Sequence, residues 1–118
     1  MVLTKVYIKR QIKERNEKQF FELLKQLRTK AMHQPGYISG ETMINTDNAQ
    51  IIMVISSWQS LEDWKSWKDN PARKEIDGLL EQLQVEPTAY EAFAHSKYRV
   101  YVKKGFPRPP SSVDPTAG

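Results

Sequence analysis

The spacing of the apolar residues changes along this chain in an order that few folds can accommodate. In residues 2–12, Val6, Ile8 and Ile12 fall on one side of an alternating pattern, which predicts a strand with one buried face. A stripe at helical spacing follows, so a helix is predicted after this strand. The stripe consists of Phe20, Leu23, Leu24, Leu27 and Ala31.

Local signals mark both ends of this helix. Asn16 can cap its start, and Gln19 at the third helical position completes a capping-box pattern. At the other end, Pro35 disfavours helical geometry in the residue before it, and Gly36 frees the turn. The helix is therefore predicted to stop at Gln34.

A hairpin is predicted next. Residues 37–45 and 50–58 both read as strands, and the polar segment between them is short enough for a turn. The first of these strands alternates in character. The second contains the run IIMVI, which is apolar on both sides and indicates that both faces of the sheet are covered.

Two short helices and a last strand complete the pattern. Ser60 forms a capping-box pattern with Asp63 and opens a helix that runs to Lys68. Asn70, followed by a proline at the first helical position, starts another helix that reaches about Leu83. The sequence TAYEAF then has strand character again.

The resulting order is βαββαβ, which predicts an α+β protein with a ferredoxin-like, antiparallel four-stranded sheet and helices on one face. Because that arrangement leaves the other face of the sheet uncovered, we expect a homodimer in which two sheets meet. Residues 1–95 would form this domain. Residues 96–118 would form a C-terminal extension, with a fifth strand or an arm on the neighbouring subunit followed by a proline-rich tail.

Composition excludes several classes of protein. No apolar run approaches the ~18 residues of a membrane span, and no secretory signal is evident, so a cytoplasmic protein without a membrane partner is expected. The chain has no cysteine, and its two histidines, His33 and His95, are far apart, so no metal site is predicted. The net charge is +4, but basic and acidic residues alternate along the helices, so no nucleic-acid partner is predicted.

Three pieces of the sequence carry a family resemblance. They are the pair Pro35 and Gly36 before the second strand, Trp58 at the end of the third strand, and the helix capped by Ser60. Over about residues 3–94 the chain resembles the antibiotic biosynthesis monooxygenase domain family. This resemblance implies a dimeric α/β barrel, with a pocket between sheet and helices in each subunit. Its members include enzymes that oxidise aromatic polyketides or quinols without metal or flavin, and a branch that degrades haem.

The resemblance to the haem-degrading branch is partial. Trp67 stands nine positions after Trp58, as in that branch, but Asp77 stands where the branch has its histidine ligand and Ile8 where it has an asparagine. Aspartate is a poor haem ligand and isoleucine donates no hydrogen bond. No cofactor is therefore predicted. Haem binding remains an alternative, with a residue at a different position, such as His33, as the iron ligand.

The resemblance to the polyketide-oxidising enzymes is also partial. Those enzymes share a pocket that contains an asparagine, a tryptophan and a tyrosine. If Trp58 corresponds to their tryptophan, then Val54 stands at the asparagine position and Trp64 at the tyrosine position. The family's polar group for handling a substrate proton is thus not found at its expected place.

The candidate site residues are mainly aromatic. Trp58, Trp64 and Trp67 would form one wall of a pocket for a flat ligand, or would simply pack the short helix onto the sheet. His33 is a candidate general base because imidazole exchanges protons near neutral pH, or else an ordinary surface residue. Tyr7 and Tyr90 would place phenols in the pocket or in the dimer interface.

Two functions follow from these residues. The first is a small cofactor-independent monooxygenase that acts on an aromatic or quinol-like substrate. The second is a non-catalytic dimeric module that binds haem or another hydrophobic ligand. An enclosed cavity with a polar side chain inside would favour chemistry, whereas a filled interior would favour a structural role.

Overall fold

The predicted order of elements is confirmed by a computed structural model, which describes residues 2–96. The strands are β1 (Thr4–Gln11), β2 (Tyr37–Ile44), β3 (Ile51–Trp58) and β4 (Ala89–Ala94), and the helices are α1 (Glu17–Ala31), α2 (Leu61–Lys68) and α3 (Pro71–Gln82). The sequence bounds were correct to within a few residues, because the alternating and helical patterns end where the capping and turn residues begin.

The four strands form an antiparallel sheet in the order β2-β3-β1-β4. Ile8 of β1 lies opposite Val54 of β3 on one side and opposite Tyr90 of β4 on the other. The order places β2 and β4 at the two edges of the sheet. This is the ferredoxin-like α+β arrangement that the sequence predicts.

The core lies between this sheet and the helices. All five residues of the predicted α1 stripe are buried. They pack with the helix-facing residues of the central strands, including Val6, Ile8 and Ile52, and with Ile76 and Leu80 of α3. Burial of these apolar side chains is the main source of stability, because each removes apolar surface from water.

The predicted capping box at Asn16 does not form. Asn16 lies at the start of α1, but its side chain makes no capping hydrogen bond, because its backbone (φ −111°, ψ 10°) is outside the extended region typical of such caps. The helix also ends at Ala31 and not at Gln34. The NH of His33 bonds to Lys30 and the NH of Gln34 to Ala31, so the chain leaves the helix in tight three-residue turns.

The caps of the two short helices are confirmed. The Ser60 hydroxyl accepts a hydrogen bond from the backbone NH of Asp63 (3.1 Å), and the side chain of Asn70 accepts one from the NH of Ala72 (2.8 Å). Pro71 occupies the first position of α3, where a missing NH costs nothing.

The face of the sheet that points away from the helices is partly apolar. Tyr7 and Phe93 stack edge to face on it, with ring centroids 5.6 Å apart. Met43 is 50% exposed and Phe93 is 54% exposed, and Met53 lies beside them half-buried. We call this surface the open face.

The predicted C-terminal arm and tail lie outside the described residues, apart from Ser96. Within residues 2–96, no helix is long and apolar enough to cross a membrane.

Candidate functional site

A cavity of about 60 Å³ lies between the helices and the helix-facing side of the sheet. Its lining comes from β1, β2 and β3 on one side and from all three helices on the other. The lining residues Arg28, Glu41 and Thr42 are exposed, so they mark an opening between α1 and β2. Inside the opening the walls are mostly apolar, and Ile8 and Val54 form part of the floor.

Aromatic side chains run from the mouth of this cavity past its inner end. Tyr37 meets Trp58 edge to face at 5.3 Å, Trp58 lies 5.9 Å from Trp64, and Trp64 lies 6.0 Å from Tyr90, all between ring centroids. These spacings are within the range in which aromatic pairs attract one another. Trp67 lies one turn from Trp64 on α2 and also lines the cavity.

The position of these indoles depends on the start of α2. The Ser60 hydroxyl, which caps the helix, also donates to Oδ2 of Asp63 (3.0 Å). The Pro-Gly turn packs directly on this carboxylate, since a Cβ at Gly36 would lie 2.1 Å from Asp63 Oδ2. Gly36 also has a positive φ of 84°, which a residue with a side chain adopts only with strain. The Pro-Gly turn and the serine cap are therefore parts of one structural unit that fixes α2.

Three residues with hydroxyl groups line the cavity, namely Tyr37, Thr42 and Ser56. The indole NH of Trp58 donates to Ser56 Oγ (3.0 Å), which leaves the hydroxyl hydrogen of Ser56 free to donate to a ligand. The phenol of Tyr37 lies over Gly40, where an added Cβ would be 2.5 Å from the phenolic oxygen. The absence of a side chain at Gly40 therefore makes room for the Tyr37 hydroxyl.

A buried guanidinium is the strongest polar feature of the cavity. Arg73, at the start of α3, is 2% exposed and lines the cavity. Its Nη2 donates to the hydroxyl of Tyr90 (2.9 Å), and its Cζ lies 5.4 Å from the ring centroids of both Trp64 and Tyr90. Lys68 approaches the same phenol ring, with Nζ 4.4 Å from its centroid. The guanidinium is thus held by aromatic rings and a phenol.

The structure brings together four of the six predicted site residues. Trp58, Trp64 and Trp67 line the cavity, and Tyr90 adjoins it through Trp64 and Arg73. The aromatic wall that the sequence predicts is therefore present in the structure. Whether these side chains bind a substrate stays a prediction.

The other two predicted residues lie elsewhere. Tyr7 is on the open face, and because the sheet separates it from the cavity, it cannot contact a ligand bound there in its own subunit. His33 is exposed just after α1, with Nδ1 2.9 Å from the carbonyl oxygen of Thr29, and it does not line the cavity. His33 is therefore not placed against a ligand in the cavity.

The donors at this site do not fit a haem. Asp77, at the position of the haem-branch ligand, forms an ion pair with Arg10 (2.8 Å). His33 and His95 are both exposed, and neither lines the cavity. Among residues 2–96, no group of three or more metal-ligating side chains is present.

Sequence reasoning missed Arg73, Ser56 and Tyr37. A signal for Arg73 was present, because Arg73, Ile76 and Leu80 are spaced so that they share the buried face of α3. An arginine on an apolar stripe is unusual enough to mark a site. Ser56 and Tyr37 gave no comparable signal, since serine and tyrosine are common in strands of many kinds.

Solved structures with this fold come from several organisms. A conserved protein from Methanosarcina mazei Go1 superposes with a TM-score of 0.74 at 22% identity, covering 79% of this chain and 92% of that chain. SnoaB, a cofactor-independent oxygenase from Streptomyces nogalater, gives 0.72 at 11% identity, covering 83% and 97%. Rv0793 from Mycobacterium tuberculosis gives 0.72 at 13% identity, covering 83% and 99%. At such identities the similarity establishes the fold.

A comparison with curated protein sequences gives no match. The family model described as antibiotic biosynthesis monooxygenase, however, matches residues 4–77, which is more than half of the chain. The matched region includes β1 to β3, α1, α2 and the first part of α3, and therefore the elements that enclose the cavity. This protein belongs to the antibiotic biosynthesis monooxygenase family.

Proposed function

We propose that this protein is a cofactor-independent monooxygenase that oxidises a small aromatic or quinol-like substrate in the cavity between sheet and helices. The observation that carries the proposal is the convergence of a few polar groups on a cavity that is otherwise lined by indoles. An apolar pocket with a small number of placed polar groups is the usual form of a site that orients a flat organic molecule. A fully packed interior would have favoured a structural role.

The chemistry requires no external electron donor. An electron-rich phenol with a free ring position reacts with O₂ to give a quinone and water. One oxygen atom enters the ring and the other leaves as water, and the substrate supplies all the electrons that O₂ accepts. Such a reaction needs the substrate in its anionic form, a defined orientation and exclusion of water from the intermediate.

The lining residues can meet these needs. Trp58, Trp64 and Trp67 present apolar surfaces on which a flat ring can stack and from which water is displaced. The hydroxyls of Ser56 and Tyr37 can donate hydrogen bonds to substrate oxygen atoms and so fix which ring position faces O₂. His33 remains a candidate base only for accepting a proton that the substrate releases near the exposed end of α1.

The mouth of the cavity must widen for a substrate to enter. Nη2 of Arg28 on α1 donates to the backbone oxygen of Gly40 on β2 (2.9 Å), so this hydrogen bond spans the opening. An exposed bond of this kind is weak in net free energy, because water replaces it readily. We expect substrate binding to break it and to move the mouth outward.

Fold similarity supports the proposal. SnoaB, whose fold is shared over most of both chains, is a cofactor-independent oxygenase. A fold alone does not define a reaction, so the argument depends on the residues of the cavity.

The open face supports a homodimer as part of the same proposal. Tyr7, Met53, Ile55 and Phe93 give this face an apolar centre, and Met43 extends it to the edge strand. Light scattering should give a mass near twice the 13.7 kDa of one chain. Ile55→Lys, which places a charge at the centre of the open face, should shift the protein to the monomer. A monomeric wild-type protein would refute the dimer.

The direct test of the activity is oxygen uptake by the purified protein, after treatment with a chelator, against a panel of hydroquinones, naphthols and anthrones. We expect saturable uptake that Trp64→Leu lowers by about tenfold or more, because loss of a stacking wall misplaces the ring. Phe21→Leu is a matched control, since Phe21 packs on Phe20 of α1 and does not line the cavity. A parallel absorbance titration with haem tests the rival function. No uptake, together with a haem spectrum, would establish a binding module instead.

A further inference from the structure

We infer that the cavity recognises an aromatic oxyanion, a ring that carries an ionised carboxylate or phenol oxygen, through the guanidinium of Arg73. This inference rests on the proposed function only in taking the cavity as the ligand site. It specifies further that the ligand is negatively charged and that Arg73 binds the charged group.

The charge of Arg73 is not neutralised by a neighbouring carboxylate. Within residues 2–96, the only ion pair is the one between Arg10 and Asp77. Among the described residues that line the cavity, only Glu41 is acidic, and it lies opposite Ile55 in the sheet, so its side chain is on the open face and not beside Arg73. A buried cation without a counter-ion is costly, so proteins seldom keep one without a compensating partner.

The hydrogen bonds of Arg73 are also incomplete. A guanidinium has several N–H donors arranged in a planar fork. Within residues 2–96, the guanidinium donates one side-chain hydrogen bond, from Nη2 to the hydroxyl of Tyr90. Because Arg73 lines the cavity, a ligand bound there can reach the guanidinium. Two oxygen atoms of a carboxylate, or one phenolate oxygen, would satisfy this fork.

The neighbours of Arg73 favour an anion further. Arg73 is in the first turn of α3, where no acidic residue is present and where the helix dipole is positive. Lys68 adds a second positive charge nearby, with Nζ 4.4 Å from the centroid of the Tyr90 ring. A negative ligand group would relieve the repulsion between the guanidinium and the helix end.

The remaining walls define the rest of the ligand. Trp64 stacks against the guanidinium and also lines the cavity, so it can contact both the charged group and the adjoining ring of a ligand. Trp58 and Trp67 extend this apolar surface. An aromatic ring attached to an anionic oxygen therefore fits both parts of the site. For the proposed oxidation, the same pairing would hold a phenol in the ionised form that reacts with O₂.

Calorimetric titration with matched ligand pairs tests the inference. Benzoate and 2-naphthoate are compared with their neutral amides, and 4-nitrophenolate with 4-nitroanisole, which separates carboxylate from phenolate as the preferred anion. We expect at least one anion to bind about tenfold or more tightly than its neutral partner, as a charge-assisted hydrogen bond implies. Arg73→Met should reduce this preference to about one while the neutral ligand still binds.

Two further variants keep the result interpretable. Arg73→Gln serves as a second neutral variant if Arg73→Met does not fold, and Arg73→Lys should retain part of the preference because it keeps the charge. Lys74→Met removes a positive charge from the next, exposed position of the same helix, and it should leave the preference unchanged.

Three outcomes would overturn the inference. Equal binding of anionic and neutral ligands by the wild-type protein would refute it and leave the proposed function standing. Persistence of the preference in Arg73→Met would assign the anion to another group. Absence of binding by every ligand, charged or neutral, would refute both the inference and the cavity as the ligand site.

Discussion

Two buried arginines in this fold have different surroundings. Arg10 on β1 is 1% exposed and Arg73 on α3 is 2% exposed, so burial alone does not distinguish them. Arg10 donates to the carboxylate of Asp77 (2.8 Å) and to the side chains of Gln84 (2.9 Å) and Thr88 (3.1 Å). Arg73 lies against the rings of Trp64 and Tyr90 and donates to the Tyr90 hydroxyl. It also lines the cavity.

The difference indicates separate roles for the two residues. The partners of Arg10 also bond to one another, since Gln84 donates to Thr88 (3.0 Å), and Thr88 donates to Glu81. This polar network joins β1 to the end of α3 and to the segment before β4. The network neutralises the charge of Arg10 and so holds elements of the fold together, although the buried Nε of Arg10 has no hydrogen-bond partner within residues 2–96. A charge left unneutralised beside a cavity is available to a ligand.

The largest expected effect is at the Arg10 network. Asp77→Ala removes the carboxylate that pairs with Arg10, the only such partner within residues 2–96, and leaves a buried charge unpaired. We expect the free energy of unfolding to fall by about 3 kcal/mol, the lower end of the range for such losses because Asp77 is 19% exposed and water can reach the vacated space. Denaturant unfolding followed by circular dichroism measures this change.

A double variant is the control for that prediction. Arg10→Met combined with Asp77→Leu removes both charges and replaces them with apolar groups, so most of the lost stability should return. A loss below about 1 kcal/mol in Asp77→Ala would show that the network contributes little, and the contrast with Arg73 would then disappear.

An intermediate effect is expected at Ser56. Ser56→Ala removes the acceptor of the Trp58 indole NH, and Trp58 is 1% exposed, so the donor is left without its partner at the cavity wall. We expect a loss of about 1 kcal/mol in unfolding free energy, because an unsatisfied buried donor is destabilising. Ser57→Ala, on the other side of the same strand, should change stability by less. Equal effects of the two substitutions would contradict the assigned hydrogen bond.

The smallest effect on stability is expected at Arg73. Arg73→Met removes a buried charge that has no counter-ion, and the loss of its ring contacts is offset by relief from that desolvation. The free energy of unfolding should therefore change by less than about 1 kcal/mol in either direction. Thermal unfolding monitored in parallel with Asp77→Ala tests the comparison. A loss as large as that of Asp77→Ala would make Arg73 a structural residue.

Much of the fold could be predicted from sequence because it depends on local periodicity. The α1 stripe and the alternation around Val6 and Ile8 specify which face of each element is buried, and the caps at Ser60 and Asn70 fix where the short helices start. The capping box predicted at Asn16 was wrong because the backbone of Asn16 (φ −111°, ψ 10°) is not extended, and residue spacing alone does not reveal backbone angles.

The candidate site could be predicted only in part. The indoles lie close in sequence, so their meeting on one wall follows from the strand end and the helix spacing. The cavity itself depends on gaps between elements that are distant in the chain, such as the space that Gly40 leaves for Tyr37. The contrast between Arg10 and Arg73 also depends on distant partners, so a list of charged residues cannot show it.

The most direct test of the proposed activity is the fate of isotopically labelled oxygen. When the protein turns over a phenol or anthrone under ¹⁸O₂, we predict that the product contains one labelled oxygen atom, that the other appears in water, and that one O₂ is consumed for each product molecule. Formation of hydrogen peroxide in equal amount to an unlabelled product would contradict the account, since the cavity would then only accelerate electron transfer to O₂.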